Sequence, residues 1–298
     1  MTNYDFTSKF KLANIISVVL FLISIILILF KGLNYGIDFK GGTLIELRST
    51  NIEVSSIRDT LKMMELGDVN VKKFGKEGDF LIKVEQQGDN NKLIPEIKKN
   101  LSDNLNSDVN FRRVENVGPK VSAELLQSGI LAISLSLAAM LFYIWVRFEW
   151  QFSIGSIIAL FHDVIITLGI FSFLSLEINL SIIAAVLTIV GYSMNDTVVI
   201  YDRIRENLGK YHKLDISDIA NLSINETLAR TIITSVTTLL ALFSIFILGG
   251  EILRGFSFAM ILGVLIGTYS SIFVAAPILK FLNVSHKTLE KKEEKIVP

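Results

Sequence analysis

The residue in this sequence that most needs a chemical reason is Asp196, in "IVGYSMNDTVVIYDRIRE", residues 189–206. It interrupts an apolar run that begins at Leu180, six residues before Asp202. On a helix that separation is about 9 Å from the first solvated groups. Arg230 opens the next apolar block at a comparable distance from the same surface, and Thr234 follows four residues later on the same helix face. An ionisable group inside a membrane span is costly and marks a functional site with a partner. The two segments are joined by a polar connection, so they run antiparallel and an Asp196–Arg230 pair is geometrically reasonable. Burial disfavours the charged carboxylate and a guanidinium favours it. A carboxyl whose distance to an arginine changes can therefore load a proton from one side and release it to the other. Arginine suits the role because it stays charged throughout. Two plainer readings stand beside this one: the pair locks two helices together, or both side chains reach back to the interface.

Other polar residues fall in apolar stretches. Asn195 neighbours the aspartate but points about 100° away. His162 and Asp163 lie near the midplane of another block. Adjacent helical residues do not share a face, so the spacing predicts no simple dyad. Asp163 shares a stripe with Ala159 and Thr167, which reads as a packing seam with structural hydrogen bonds at least as readily as a proton site. Ala259, Gly263, Gly267 and Ser271 recur every four residues, as a close helix-packing face does, within the bundle or against a partner. Glu177 and Asn179, in a short connection, are expected to be solvated.

These side chains need apolar helices to hold them, and the composition supplies them. Of 298 residues, 51% are hydrophobic and 19% charged, against about 25% charged in soluble domains. The apolar residues are concentrated in blocks at 12–31, 126–146, 152–174, 180–200, 231–248 and 256–282. Each is near the roughly 20 residues that cross a bilayer, so the chain reads as a polytopic α-helical membrane protein with six spans. The first block follows Lys9 and Lys11, yet it is too long for a signal-peptide core and no small-residue cleavage site follows it. Lys and Arg concentrate before residue 12, at Arg147, in 202–230 and after 279, while the connections 175–179 and 249–254 hold only Arg254. That asymmetry predicts cytoplasmic termini, 1–11 and 283–298, and a cytoplasmic connection at 202–230. Residues 216–228 are expected to form a short helix lying on the membrane surface, and the charged tail to be disordered.

Between the first two spans, 32–122 has a different texture. "TLIELR" and "FLIKVE" have strand composition, with Phe80, Ile82 and Val84 alternating against Leu81, Lys83 and Glu85. Val54, Ile57, Leu61 and Met64 mark a helix in 53–66, and Ile97, Leu101 and Leu105 another in 93–105. Strand-like runs at 69–74 and 109–114 complete the order β-α-β-β-α-β, that of a ferredoxin-like α+β domain, here on the extracytoplasmic side. Asp38, Gly41 and Gly42 in "DFKGG", with Gly118-Pro119, read as hinge or junction elements.

Zero net charge gives no basic footprint for nucleic acid. No cysteine is present, and His162, His212 and His286 lack metal-ligand spacing. No nucleotide-binding glycine loop or G-x-S-x-G elbow suggests an enzyme. Protons are the coupling ion this reading needs, with no cofactor and no metal.

"YGIDFKGGTLIELR", "VENVGPKVSAELL", "RFEWQFSIGSIIALFHDV", "GYSMNDTVVIYDRIREN" and "RTIITSVTTL" together resemble the SecF family. These are the smaller subunits of the bacterial SecDF protein-export complex, in the resistance-nodulation-division superfamily. The resemblance covers residues 34–282. It implies a SecD partner whose six spans complete a twelve-helix unit, and action on preproteins emerging from the SecYEG channel, with YajC as a further associate. It implies an inner-membrane location and energy from the proton motive force. It places Asp196 at the family's proton-carrying aspartate, and Arg230 and Thr234 at the arginine and threonine of the same relay. Two alternatives compete: a small-molecule efflux subunit of the same superfamily, for which the single domain is small, and a non-transporting membrane scaffold.

Overall fold

A computed structural model describes residues 4–49, 52–64, 66, 69–73, 77–84, 90–105, 109–286 and 288. Most of the expected charged tail lies outside the described residues. The chain divides into two compact units: residues 35–131 with 177–180, and the remainder.

The first unit is built on four strands and two helices, β2 (Gly42–Arg48), α3 (Val54–Lys62), β3 (Val69–Lys73), β4 (Asp79–Val84), α4 (Asn90–Asn104) and β5 (Asn110–Val117). The strands form one antiparallel sheet in the order β3-β4-β2-β5. This order, with a helix in each long connection, fits the expected split βαβ pattern. Alternation decides the faces. Ile45 and Leu47 of β2 and Phe80, Ile82 and Val84 of β4 are buried, and they meet Ile57 and Leu61 of α3 and Ile97 and Leu101 of α4. Each such side chain contributes about 1.5–3 kcal/mol by leaving water. At the sheet's end Arg48 donates two hydrogen bonds to Asp79, 2.5 and 2.7 Å, across a directly opposed pair, a fork geometry that fixes register as well as energy.

The "DFKGG" segment makes a tighter junction than a simple bend. β1 (Asn34–Tyr35) pairs with β6 (Glu177–Ile178), and α2 (Ile37–Lys40) is a single helical turn. Gly41 and Gly42 then take φ of +79° and +129°. At Gly42 a Cβ would lie 2.6 Å from the Val84 carbonyl oxygen, so only glycine lets β2 start beside β4. The connection at 177–180 is not simply solvated. Glu177 pairs with Lys83 of β4, and the Asp38 carboxylate accepts the Leu180 N–H at 2.9 Å. Gly118 and Pro119 end β5 and start the next helix, whose Ser122 N–H returns to the Gly118 carbonyl.

The second unit is helical: α1 (Phe10–Phe30), most of α5 (Pro119–Arg147), α6 (Trp150–Phe173), α7 (Leu180–Lys210), α8 (Ile216–Leu248) and α9 (Gly250–Ser270). A π turn, Ser271–Ala275, continues α9 into α10 (Ala276–Phe281). Six of these helical segments are long and apolar enough to cross a membrane, α9 to α10 counting as one. Half or more of the apolar window is buried in α6, α7 and α9–α10, and less than a fifth in α1, α5 and α8. The first three are thus the centre of the unit and the others its rim. No separate surface helix occupies 216–228. Ile216, Ile219 and Ile224 pack into the core with Leu208, Leu279 and Val284, and no glycine or proline separates them from Thr231, so α8 runs on unbroken.

Candidate functional site

α7 turns one face to the centre: Ile189, Ser193, Asp196, Thr197, Ile200 and Ile204, at three- and four-residue steps, are all buried. Asp196 is 3% exposed, and its Oδ2 has no hydrogen-bond partner. The hydroxyl of Thr268, on α9, acts on the carboxylate without a closed hydrogen bond among the described residues. Thr268 Oγ1 lies 2.8 Å from Ser235 Oγ of α8. One carboxylate and two hydroxyls from three helices therefore share one polar region. Hydroxyls both donate and accept, and a buried carboxylate oxygen without a donor is a position where a proton relieves the desolvation of charge.

The expected Asp196–Arg230 contact is not closed. Arg230 is exposed on α8 and acts on the carboxylate at a distance; no ion pair within 4.0 Å joins them among the described residues. Thr234 shares its face, but its hydroxyl donates to the carbonyls of Arg230 and Thr231, both at 3.0 Å. Asn195 is exposed on the outside of α7, in keeping with its 100° offset.

His162 and Asp163, set apart by the spacing argument, do meet. His162 Nδ1 lies 2.8 Å from Asp163 Oδ1. Adjacent Cα–Cβ vectors diverge, but an imidazole is long enough to fold back along the helix surface. Asp163 also binds across helices, accepting from Ser193 of α7 and, at 2.7 Å, Ser270 of α9. Its backbone carbonyl accepts the Thr167 hydroxyl at 2.8 Å.

The small-residue stripe lies within the bundle. A Cβ on Gly263 would meet Ile189 at 2.2 Å, and one on Gly267 would meet Ser193 at 3.0 Å. Ala259 is buried, and Ser271 Oγ lies 2.8 Å from Thr197 Oγ1. The sequence reading missed Ser235, Thr268, Ser193 and Ser270. The available signal was the stripe itself: Thr268 and Ser270 flank its members, so the helix that packs on α7 brings hydroxyls to both carboxylates.

The family model described as protein export membrane protein SecD/SecF, C-terminal, matches residues 97–285, and the SecD/SecF GG motif matches residues 26–51. The chain is 48% identical over 292 residues to the protein translocase subunit SecF of Rickettsia bellii, covering 97% of this chain and 96% of that one. It is 43% identical over 293 residues to the same subunit of Cereibacter sphaeroides, covering 95% and 90%. Among solved structures it is similar to SecDF, a translocon-associated membrane protein from Thermus thermophilus, with TM-score 0.86 and 35% identity over 94% of this chain. SecDF in a super-membrane-facing form matches with TM-score 0.71 and 34% identity over 99% of it. The chain spans 39% and 40% of the length of those two proteins. It belongs to the SecF family of protein-translocase subunits, auxiliary components of Sec-dependent protein export.

Proposed function

We propose that this chain, with a SecD-type partner, uses the proton motive force to promote late translocation of preproteins through SecYEG. Asp196 is the proton carrier on this reading, and Arg230 and Thr234 belong to the same relay. The single observation that carries it is the Asp196 carboxylate, buried on α7 with one bare oxygen and with hydroxyls of two other helices leading to it. With a proton on Asp196 the centre is neutral. Without it a buried charge remains, which favours a packing that brings a donor or a guanidinium closer. The open Asp196–Arg230 distance is one end of such a cycle and a closed pair is the other. The exposed position of Arg230 leaves its guanidinium available to a group outside this chain in the other state.

The asymmetry of basic residues supports cytoplasmic termini; on this reading the spans sit in the lipid of the inner membrane and the α+β unit lies on the outer side, where it meets emerging preproteins. YajC is a further partner on this reading, and no cofactor beyond the proton is required.

The test is completion of preprotein translocation into inverted vesicles, with and without a proton gradient. Asp196→Asn and Arg230→Met are expected to abolish the gradient-dependent fraction while the protein still accumulates and co-purifies with its SecD partner. Unchanged gradient dependence in both variants would overturn the relay and leave a scaffolding role.

A further inference from the structure

A second buried centre lies on α6, with side-chain partners different from those of Asp196. Asp163 is 1% exposed, and its carboxylate receives His162 Nδ1 on one oxygen and the Ser193 and Ser270 hydroxyls on the other. Ser193 and Ser270, the latter also contacting the Gly267 carbonyl, present hydroxyls to one oxygen; with the carboxylate ionised it is acceptor-only, and the imidazole then turns a protonated Nδ1 to it. The other ring nitrogen, Nε2, is then a bare lone pair. It is buried without a partner in a residue only 5% exposed. In this form the centre carries one negative charge in a water-poor interior, and the neutral His162 ring is the only basic side chain paired with Asp163 among the described residues.

The surroundings are built for this arrangement. Ser270 and Ser271 are adjacent, yet both are fully buried and both bond inward, to Asp163 and to Thr197. An α-helix would turn them about 100° apart. The π turn that begins at Ser271 widens the helix there, a feature that recurs at functional sites. Tyr269 stacks on the His162 ring at 6.4 Å and 24°, its hydroxyl donating to Ala13 O of α1 at 2.8 Å and accepting from Ser17 at 3.1 Å. The titratable groups facing His162 are thus Asp163 of α6 and Tyr269 of α9. α7 brings Ser193, with Asp196 three residues beyond, and the one titratable residue of α1 is Lys11, near its start.

We propose that His162 Nε2 is a second proton-binding position in the membrane-spanning unit, with Asp163 as its fixed counter-charge. Taking up the proton forms one N–H bond and breaks none within the protein. The centre passes from one negative charge to neutral, and the hydroxyls of α7 and α9 stay in place. This site does not require Asp196 to be the carrier.

The test uses the full chain in lipid nanodiscs with its partner, labelled with 15N-histidine, and His212→Gln and His286→Gln to leave one imidazole. As pH falls from about 9 to about 5, the Nε2 resonance is expected to change from a bare to a protonated nitrogen, while Nδ1 stays protonated. Asp163→Asn, which removes the counter-charge, should move that change about 1–3 pH units lower. Ser270→Ala, which removes one donor from the carboxylate, should move it higher, and it keeps the test decisive where Asp163→Asn fails to fold. In Asp196→Asn the transition should persist even where gradient-driven export is lost, so the two readings fail separately. An imidazole fixed in the one-proton form across the whole range, in the parent and in Ser270→Ala, would overturn the proposal and leave the dyad a structural pin.

Discussion

The seam between α7 and α9 sets the positions of both buried carboxylates, and Gly263→Ala tests it directly. The new methyl carbon would lie 2.2, 2.6 and 2.7 Å from Cγ1, Cδ1 and Cγ2 of Ile189. Carbon atoms settle at about 3.5–4.0 Å, so all three approaches are short by about 1 Å. Ile189 cannot turn aside, because a β-branched side chain on a helix has one strongly preferred rotamer. Either it goes off-rotamer or α9 moves away, and overpacking of this kind costs about 1–3 kcal/mol. Ile189→Ala alone removes the three atoms and leaves a cavity, costing about 2–5 kcal/mol. In the double variant the methyl occupies part of that cavity. It should be no less stable than Ile189→Ala, a favourable coupling of about 1–3 kcal/mol. Thermal unfolding of the purified full chain with its partner, followed by the fraction still monodisperse, reads all four proteins. Gly209→Ala is the control: nothing lies within 4 Å of that Cβ, so the helix should gain up to about 1 kcal/mol. Strictly additive single effects, or a Gly263→Ala protein as stable as the parent, would mean that the glycine does not face Ile189 and that the seam is drawn wrongly.

Three further outcomes follow from the geometry. Gly42→Ala combines a φ of +129° with a Cβ 2.6 Å from the Val84 carbonyl, so it should loosen the start of β2 by about 1–3 kcal/mol; faster amide exchange confined to β2 and β4 is the readout, and unchanged protection would refute it. Lys83 of β4 pairs with Glu177, so Lys83→Met should cost up to about 1 kcal/mol; lower amide-exchange protection at the middle of β4 is the readout, and protection equal to the parent's would overturn it. Thr268→Val keeps the shape but removes the hydroxyl beside Asp196, and should slow gradient-driven translocation by roughly tenfold without changing assembly, a loss of about 1.4 kcal/mol.

The long apolar blocks and the period-2 and period-3.6 patterns made the six spans and the α+β unit legible, because burial on a helix or strand imposes those spacings directly. Asp196 was legible for the opposite reason: it breaks the pattern. The extent of α8 was not, since a polar helix end and a surface helix share one amphipathic pattern, and what decides between them is the core formed with Leu208, Leu279 and Val284. The His162–Asp163 contact was hidden because spacing fixes where Cβ atoms point and not how far a ring folds back. Glu177 looked solvated because nothing local in a short connection announces a lysine 94 residues away.

The hydroxyls were hidden for a reason that bears on mechanism. Ser and Thr in an apolar helix usually bond their own backbone, as Thr234, Thr237 and Ser257 do here, so their presence predicts nothing. Ser193 and Ser270 instead reach the Asp163 carboxylate of α6 from α7 and α9, Ser270 while also contacting the Gly267 carbonyl, and Thr268 meets Ser235 of α8; beside them α7 and α9 approach closely. That approach exists only where Gly263 and Gly267 carry no Cβ. At the 8–10 Å separation of helices with larger side chains, the Ser193 and Ser270 hydroxyls would lose their carboxylate partner and leave Asp163 with His162 alone. Glycine spacing and the buried polar centre are therefore linked in this bundle: the stripe that reads as packing helps bring the Ser193 and Ser270 hydroxyls to Asp163.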